Sequence, residues 1–381
     1  MILFQKKEVN LQTIALSTFS LYFGFTVWSV TFNNFAKEVF DISPTQIGII
    51  QSVREIPGLL GFTVGALALY VAEVKIATLS IVISGLGLIL VGFADSIWMM
   101  GVGTFVMSVG FHNFLSSNDA LLLHHIKTKE SGKAQGKIRS TESFAGVVAT
   151  VCIFLATLWL GYRQVLTSFG IIVSMAGVYL TFILKSNRGE EEERKVCFKR
   201  KYSLYYTLSF LRGCRRHIFS TFAIFLLVSN YHINISIASV LFFFSNLITT
   251  YTYRWMGHFV EKWGERTVLA GSSFFLIFIF SGYAFISWLP ILFVFFVMDN
   301  ILFGSSIALD SYMRKIADKQ DLTNCLSFSQ TANHISAVIL PVLGGIIWQF
   351  FGFRSTFLFG SAIVFIDMLF SLRVKTKKEL K

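Results

Sequence analysis

Residues 257–266 read Gly-His-Phe-Val-Glu-Lys-Trp-Gly-Glu-Arg, a short polar stretch between two long apolar runs, 236–256 and 267–286. The hydrocarbon core of a bilayer needs roughly 20 apolar residues per helix. Each flanking run has that length, so the polar stretch reads as a turn at a membrane surface between two crossing helices. Its glycines allow a tight turn where helices pack closely, and its acidic and basic residues can latch neighbouring helix ends.

The same alternation extends both ways along the chain. Twelve segments of crossing length are marked by polar breaks: 11–36, 46–69, 75–94, 97–125, 138–160, 164–184, 203–228, 236–256, 267–286, 290–313, 323–349 and 354–373. Composition agrees. Of 381 residues, 54% are hydrophobic and 14% charged, and the mean hydropathy is +0.65, too little charge to coat soluble domains. The expectation is an all-α integral membrane protein. The leading Met1–Asn10 carries Lys6 and Lys7 but no cleavage-site pattern, so the first helix is expected to stay in the mature chain.

The net charge of +12 follows topology. With a cytoplasmic N-terminus, Lys37, Arg163 and Arg354 are the basic residues of the outer loops, and most others fall on the cytoplasmic side. This predicts an inner-membrane, multi-pass protein with both termini cytoplasmic, in contact with anionic lipid headgroups and with no nucleic-acid partner. The cysteines at 152, 197, 214 and 325 have no metal-ligand spacing and are expected to be reduced thiols.

Between the sixth and seventh spans, residues 185–201 read KSNRGEEEERKVCFKRK, a solvated linker. A shift of 191 residues superposes the halves on either side: Phe105-Val106-Met107 on Phe296-Val297-Met298, Asp119 on Asp310, Val147 on Val338, and Gly161-Tyr162-Arg163 on Gly352-Phe353-Arg354. Six helices are duplicated. The expected organisation is an N-terminal bundle at 1–187, a linker at 188–201 and a C-terminal bundle at 202–381. Two halves in the same orientation imply a pseudo-two-fold axis along the membrane normal and a midplane site between them.

The loop at 257–266 resembles the motif of the major facilitator superfamily, G-x-x-x-D-[RK]-x-G-x-[RK], with Gly257, Glu261, Lys262, Gly264 and Arg266 at its positions. The equivalent first-half loop, Gly65 to Lys75, keeps the leading glycine but lacks the acidic residue and second glycine. Arg314 to Gly345, with Asn333-His334, Pro341 and Gly344-Gly345, is similar to bacterial efflux-type permeases. The resemblance implies a gate at the 257–266 loop and transport by alternating access.

Charge inside the spans marks the candidate site, because an uncompensated charge at a helix centre costs at least ~2.5–3.5 kcal/mol. The seventh span carries Arg212, Arg215, Arg216 and His217 near its middle. Spacings of three and four let the three arginines face one cavity as an anion-binding wall, or pair with acidic residues of neighbouring helices. On the second span, Gly58, Gly61 and Gly65 follow Arg54 at helical spacing, allowing close packing on its face, and Pro57 removes a backbone hydrogen bond. Arg54, Arg212, Arg215, Arg216, His112, Asn113 and Asn300 are the substrate-binding candidates. Glu55, Glu142, Asp299 and His334 are the proton-coupling candidates. Asp119, Asp310 and Arg314, at the cytoplasmic ends of spans four and ten, join the loop motif as gating candidates, with Arg314 four residues after Asp310. His124, His125 and His232 are expected at interfaces, and Asp367 has no assigned role. The 42 phenylalanines read as lipid-facing and packing bulk.

No H-E-x-x-H, Walker loop or Cys/His metal spacing occurs, so no enzyme, ATP-driven pump, metal or cofactor is expected. The reading is a monomeric, proton-coupled secondary transporter of a small organic anion. The alternatives are a proton-antiport exporter of amphipathic or cationic compounds and, more remotely, a channel or non-transporting receptor.

Overall fold

The computed structural model describes residues 8–60, 70–125, 131–184, 199–318 and 321–375. Gly61, Gly65, the greater part of the first-half loop and the linker up to residue 198 lie outside the described residues.

The chain is helical along its described length. The helices are α1 (Leu11–Phe40), α2 (Pro44–Leu59), α3 (Glu73–Gly92), α4 (Ile97–His125), α5 (Ser131–Ala156), α6 (Tyr162–Ile183), α7 (Ser203–Ser229), α8 (Ile235–Trp263), α9 (Glu265–Phe285), α10 (Leu289–Phe303), α11 (Ser306–Ile316), α12 (Leu322–Phe351) and α13 (Phe353–Ser371). Among the described residues, nine helical spans are long and apolar enough to cross a membrane. The other three expected spans are α2, whose continuation lies outside the described residues; α4, whose apolar part is interrupted by His112 and Asn113; and α7, with its three arginines.

The expected tenth span is broken. Leu289–Ile316 is one apolar stretch, yet Gly304 and Ser305 form a turn between α10 and α11. There the backbone tightens to i to i+3 bonds, with Gly304 N donating to Ile301 O at 3.0 Å and Ser305 N to Leu302 O at 3.0 Å.

The chain divides into two compact units: Met1–Ile42 with Val53–Glu193 and Ile233–Leu247, and Ser43–Ser52 with Arg194–His232 and Ile248–Lys381. In the first, α3 packs on α4 and α6, and α1 on α5 and α6. Glycine lets the backbones approach: a Cβ at Gly87 would fall 2.2 Å from Met107 N, and one at Gly110 2.4 Å from Ser80 O. Helix α1 starts at Asn10, whose side chain accepts from Gln12 N and Thr13 N, and stops at Asp41 in the left-handed region with φ 47°. Its buried hydroxyls are satisfied locally: Ser17 and Thr18 donate to the carbonyls four residues back at 3.0 and 2.9 Å, as polar side chains inside a lipid-embedded helix must.

In the second unit, α7 packs on α12 and α13, and α9 on α13, α10 and α11. Buried Tyr205, Tyr206, Leu208, Leu269, Met313 and Val374 belong to one core at the end of this unit where α7 begins.

Candidate functional site

In the first unit, α2 and α4 bring together three residues assigned from sequence to different roles. The Arg54 guanidinium pairs with Glu55 Oε1, and Glu55 Oε2 lies 3.7 Å from His112 Nε2. Side-chain exposure is 13% for Arg54 and 8% for Glu55 and His112, so the carboxylate is shielded but adjoins a partly accessible cation. The Arg54 carbonyl accepts from Ser108 Oγ, which anchors α2 to α4. His112 Nδ1 lies 3.1 Å from the Ser108 carbonyl oxygen and 3.0 Å from its hydroxyl. A carbonyl can only accept, and the hydroxyl proton is directed to Arg54, so the geometry assigns the ring proton to Nδ1. The other ring nitrogen, Nε2, faces Glu55. Behind the group, the Arg54 guanidinium sits 5.1 Å from the Trp28 ring centroid, and Trp28 Nε1 donates to Thr104 Oγ1 at 3.3 Å.

Glu142, on α5, occupies a separate place in this unit. It accepts from Arg139 at 3.1 Å and is hydrogen-bonded to Tyr22 of α1. Asn113 is half-buried and Asp119 exposed, both on α4.

In the second unit, the α7 arginines divide. Arg215, 2% exposed, donates to Asp299 Oδ1 of α10 at 2.7 Å. Arg212 donates to Ser305 Oγ at 2.8 Å, Leu269 O at 3.1 Å and Ser272 Oγ at 3.3 Å, and lies 3.4 Å from Asp367 Oδ2. Ser273 also donates to Asp367, at 2.5 Å. Arg216 is exposed and lies 3.5 Å from the Phe303 ring centroid. Arg212 and Arg215 are drawn into pairs, because neighbouring helices supply buried carboxylates. Asp367, with no role in the sequence, is the partner of Arg212.

Asn300 is half-buried and bonds the Phe296 carbonyl at 2.9 Å. His334, on α12, is half-buried.

At the 257–266 turn, Gly264 takes φ +83°, which favours glycine. Gly257 has no atom within 4 Å of an added Cβ. Glu261 and Lys262 are exposed at the end of α8. The buried acid of the turn is Glu265, 3% exposed, which accepts from Ser311 Oγ at 2.7 Å and pairs with Lys315. Arg266 Nε donates to Val374 O at 2.6 Å. Asp310 and Arg314 are exposed on α11. Sequence reasoning passed over Glu265 because it fills an unrestricted position of the motif; its place in the first turn of a helix was the available signal.

A further cluster closes the start of the second unit. Lys199 and Lys201 both pair with Asp321, Lys201 also with Asp318, and Tyr202 donates to Asp321 at 3.0 Å. The two ammonium donors hold the Asp321 carboxyl down at about 2.

The family described as Major Facilitator Superfamily matches residues 14–309 and again residues 205–381. No curated protein matches the chain in sequence. In fold it is similar to the nucleoside transporter NupG, with a TM-score of 0.78 and 13% identity over 96% of this chain and 99% of that one. A bacterial homologue of the human lysosomal transporter Spinster, inward-facing and unoccupied, gives 0.77 and 13%, covering 96% of both chains. The human organic anion transporter MFSD10 gives 0.66 and 11% over 95% of this chain and 98% of that one. The apolar spans and the family match over residues 14–381 make this protein a multi-pass membrane transporter belonging to the Major Facilitator Superfamily.

Proposed function

We propose that the chain is a proton-coupled secondary transporter of a small organic anion, working by alternating access from a membrane in which both termini face the cytoplasm. The observation that carries this reading is the Arg54–Glu55–His112 group. Glu55 gives one oxygen to Arg54 and turns the other toward the His112 ring nitrogen Nε2. A proton taken up at Glu55 or at His112 Nε2 cancels the carboxylate's hold on the guanidinium, and Arg54 becomes available to an anion. When the proton leaves, Glu55 competes for Arg54 again and expels the anion. Proton and anion thus move together.

Arg216 supports the anionic class independently. It is exposed in the middle of α7, where a cation facing hydrocarbon is costly, so an aqueous path is the favourable surrounding. Asp299, held by Arg215, is a second carboxylate whose pairing a proton would disturb. Glu265 with Lys315 and Ser311 is the gate latch of the second unit in this reading.

The test is uptake of radiolabelled mono- and dicarboxylates and sulfonates into vesicles containing the purified protein, against protein-free vesicles, with and without a pH gradient. Uptake of at least one anion, abolished by Arg54→Gln and made insensitive to the gradient by Glu55→Gln, is expected. Uptake restricted to neutral or cationic compounds, or unchanged in both variants, overturns the proposal.

A further inference from the structure

The number of phenylalanines carries no functional message, but the arrangement of a few rings in the first unit does. Phe25, Trp28 and Phe32 follow one another along a face of α1 at spacings of three and four. Phe111 of α4 stacks on Phe25 with centroids 4.3 Å apart and planes 21° apart. Phe25 and Trp28 are 6.2 Å and 28° apart, and Trp28 and Phe32 4.6 Å and 28°. Each ring of this series of four is within 28° of parallel to the next. Around Phe219 in the second unit, by contrast, the rings are tilted or edge-on, at 59°, 77° and 35°.

The series is closed at one end and accessible at the other. Trp28 is 3% exposed and Phe32 0%, while Phe25 and Phe111 are half-buried. Trp28 also carries the Arg54 guanidinium over its face, and the Phe111 ring meets His112 edge-on at 5.4 Å. Phe25 thus lies beside the ring that carries the cation, and Phe111 meets the imidazole of the Arg54–Glu55–His112 group. A flat ring laid parallel to Phe25 or Phe111 finds the π-stacking it prefers, and a carboxylate on that ring is brought toward Arg54.

We propose that the transported solute is an aromatic anion, a planar ring bearing a carboxylate, with Phe25 and Phe111 selecting the ring and Arg54 the charge. The inference rests on the anion reading above and narrows it to one chemical class. An aliphatic acid of the same size buries similar apolar area but lacks the stacking preference, which for aromatic pairs corresponds to roughly a threefold to tenfold difference in affinity.

The experiment compares binding of benzoate, cyclohexanecarboxylate and benzamide to the detergent-purified full chain by calorimetric titration. Benzoate is expected to bind about threefold to tenfold more tightly than cyclohexanecarboxylate, with benzamide far weaker. Phe25→Leu and Phe111→Leu are expected to erase that ratio. Phe25→Tyr, which keeps the ring, is expected to preserve it even if a leucine variant does not fold. Equal affinity for the two acids overturns the aromatic class and leaves the anion reading standing. Benzamide binding as tightly as benzoate, or binding by neither acid, overturns both.

Discussion

Replacing Arg212 by Gln separates an arginine that holds helices together from one that meets solute. Arg212 makes hydrogen bonds of 2.8, 3.1 and 3.3 Å to Ser305, Leu269 and Ser272 and faces Asp367, whose side chain is 2% exposed. Glutamine at 212 leaves that carboxylate buried with Ser273 as its remaining donor. Breaking a buried ion pair from one side costs about 3–5 kcal/mol, and for a cooperative unit of this size that lowers the melting temperature by roughly 10 °C. Arg212→Met with Asp367→Leu removes both charges and both desolvation penalties, so most of the stability is expected to return. The assay is thermal unfolding of the purified protein in one detergent, for the wild type, both single variants and the double variant. Wild-type stability in Arg212→Gln, or a double variant no better than the single ones, refutes the assignment of this pair as a helix staple.

Arg216→Gln is expected to move the melting temperature little, because the side chain is exposed, and to weaken anion uptake; loss of folding instead would count against a solute role. Anion binding to the wild type is expected to strengthen as pH falls and Glu55 is protonated, whereas Glu55→Gln is expected to bind equally well across that range, as titration at several pH values will show. Gly87→Ala is expected to destabilise the first unit severely, since its Cβ would meet Met107 N at 2.2 Å, whereas Gly271→Ala, with nothing within 4 Å, is expected to melt like the wild type. Asp321, held at about 2 against an unfolded carboxylate near ~3.9, contributes stability that is fully present above about pH 4 and lost as pH falls toward 2. Peptic cleavage near residues 199–202 is therefore expected to rise across that window and to be rapid already at pH 4 in Asp321→Asn.

The span pattern was legible because length and hydropathy are one-dimensional quantities. The expected 97–125, 164–184 and 267–286 are found as Ile97–His125, Tyr162–Ile183 and Glu265–Phe285. The break at Gly304–Ser305 was not legible, since two small residues in an apolar run read equally well as continuous helix, and the distinguishing feature is the contact from Arg212 to Ser305. Charge inside the spans was legible by its cost, which singled out Arg54, Glu55, His112, Arg212, Arg215 and Asp299. Their partners were not, because helical periodicity gives a face without naming the neighbour across it. Asp367 lies 155 positions beyond Arg212 in the chain, and Glu265 filled a motif position with no stated preference. The ring series of Phe25, Trp28 and Phe32 was visible as spacing alone; its meaning depends on Phe111, brought in from another helix.

The three arginines of α7 illustrate how a membrane protein can carry both structural and functional charge on one helix. Position along α7 decides which neighbour each meets: Arg212 reaches Ser305 at the break, Arg216 lies over Phe303 just before it, and Arg215 meets Asp299 one turn earlier on α10. Where a buried carboxylate stands opposite, the guanidinium closes into a pair and fastens helices, since lipid offers neither group another partner. Where an aromatic face lies against the guanidinium, as Phe303 does at Arg216, the cation is attracted to the ring and stays at the exposed surface. The same contrast holds in the first unit, where Arg54 is shared between the Glu55 carboxylate and the Trp28 ring. An arginine with one ionic and one aromatic contact can exchange the carboxylate for a solute anion and still be held in place by the ring, which a doubly ion-paired arginine cannot do.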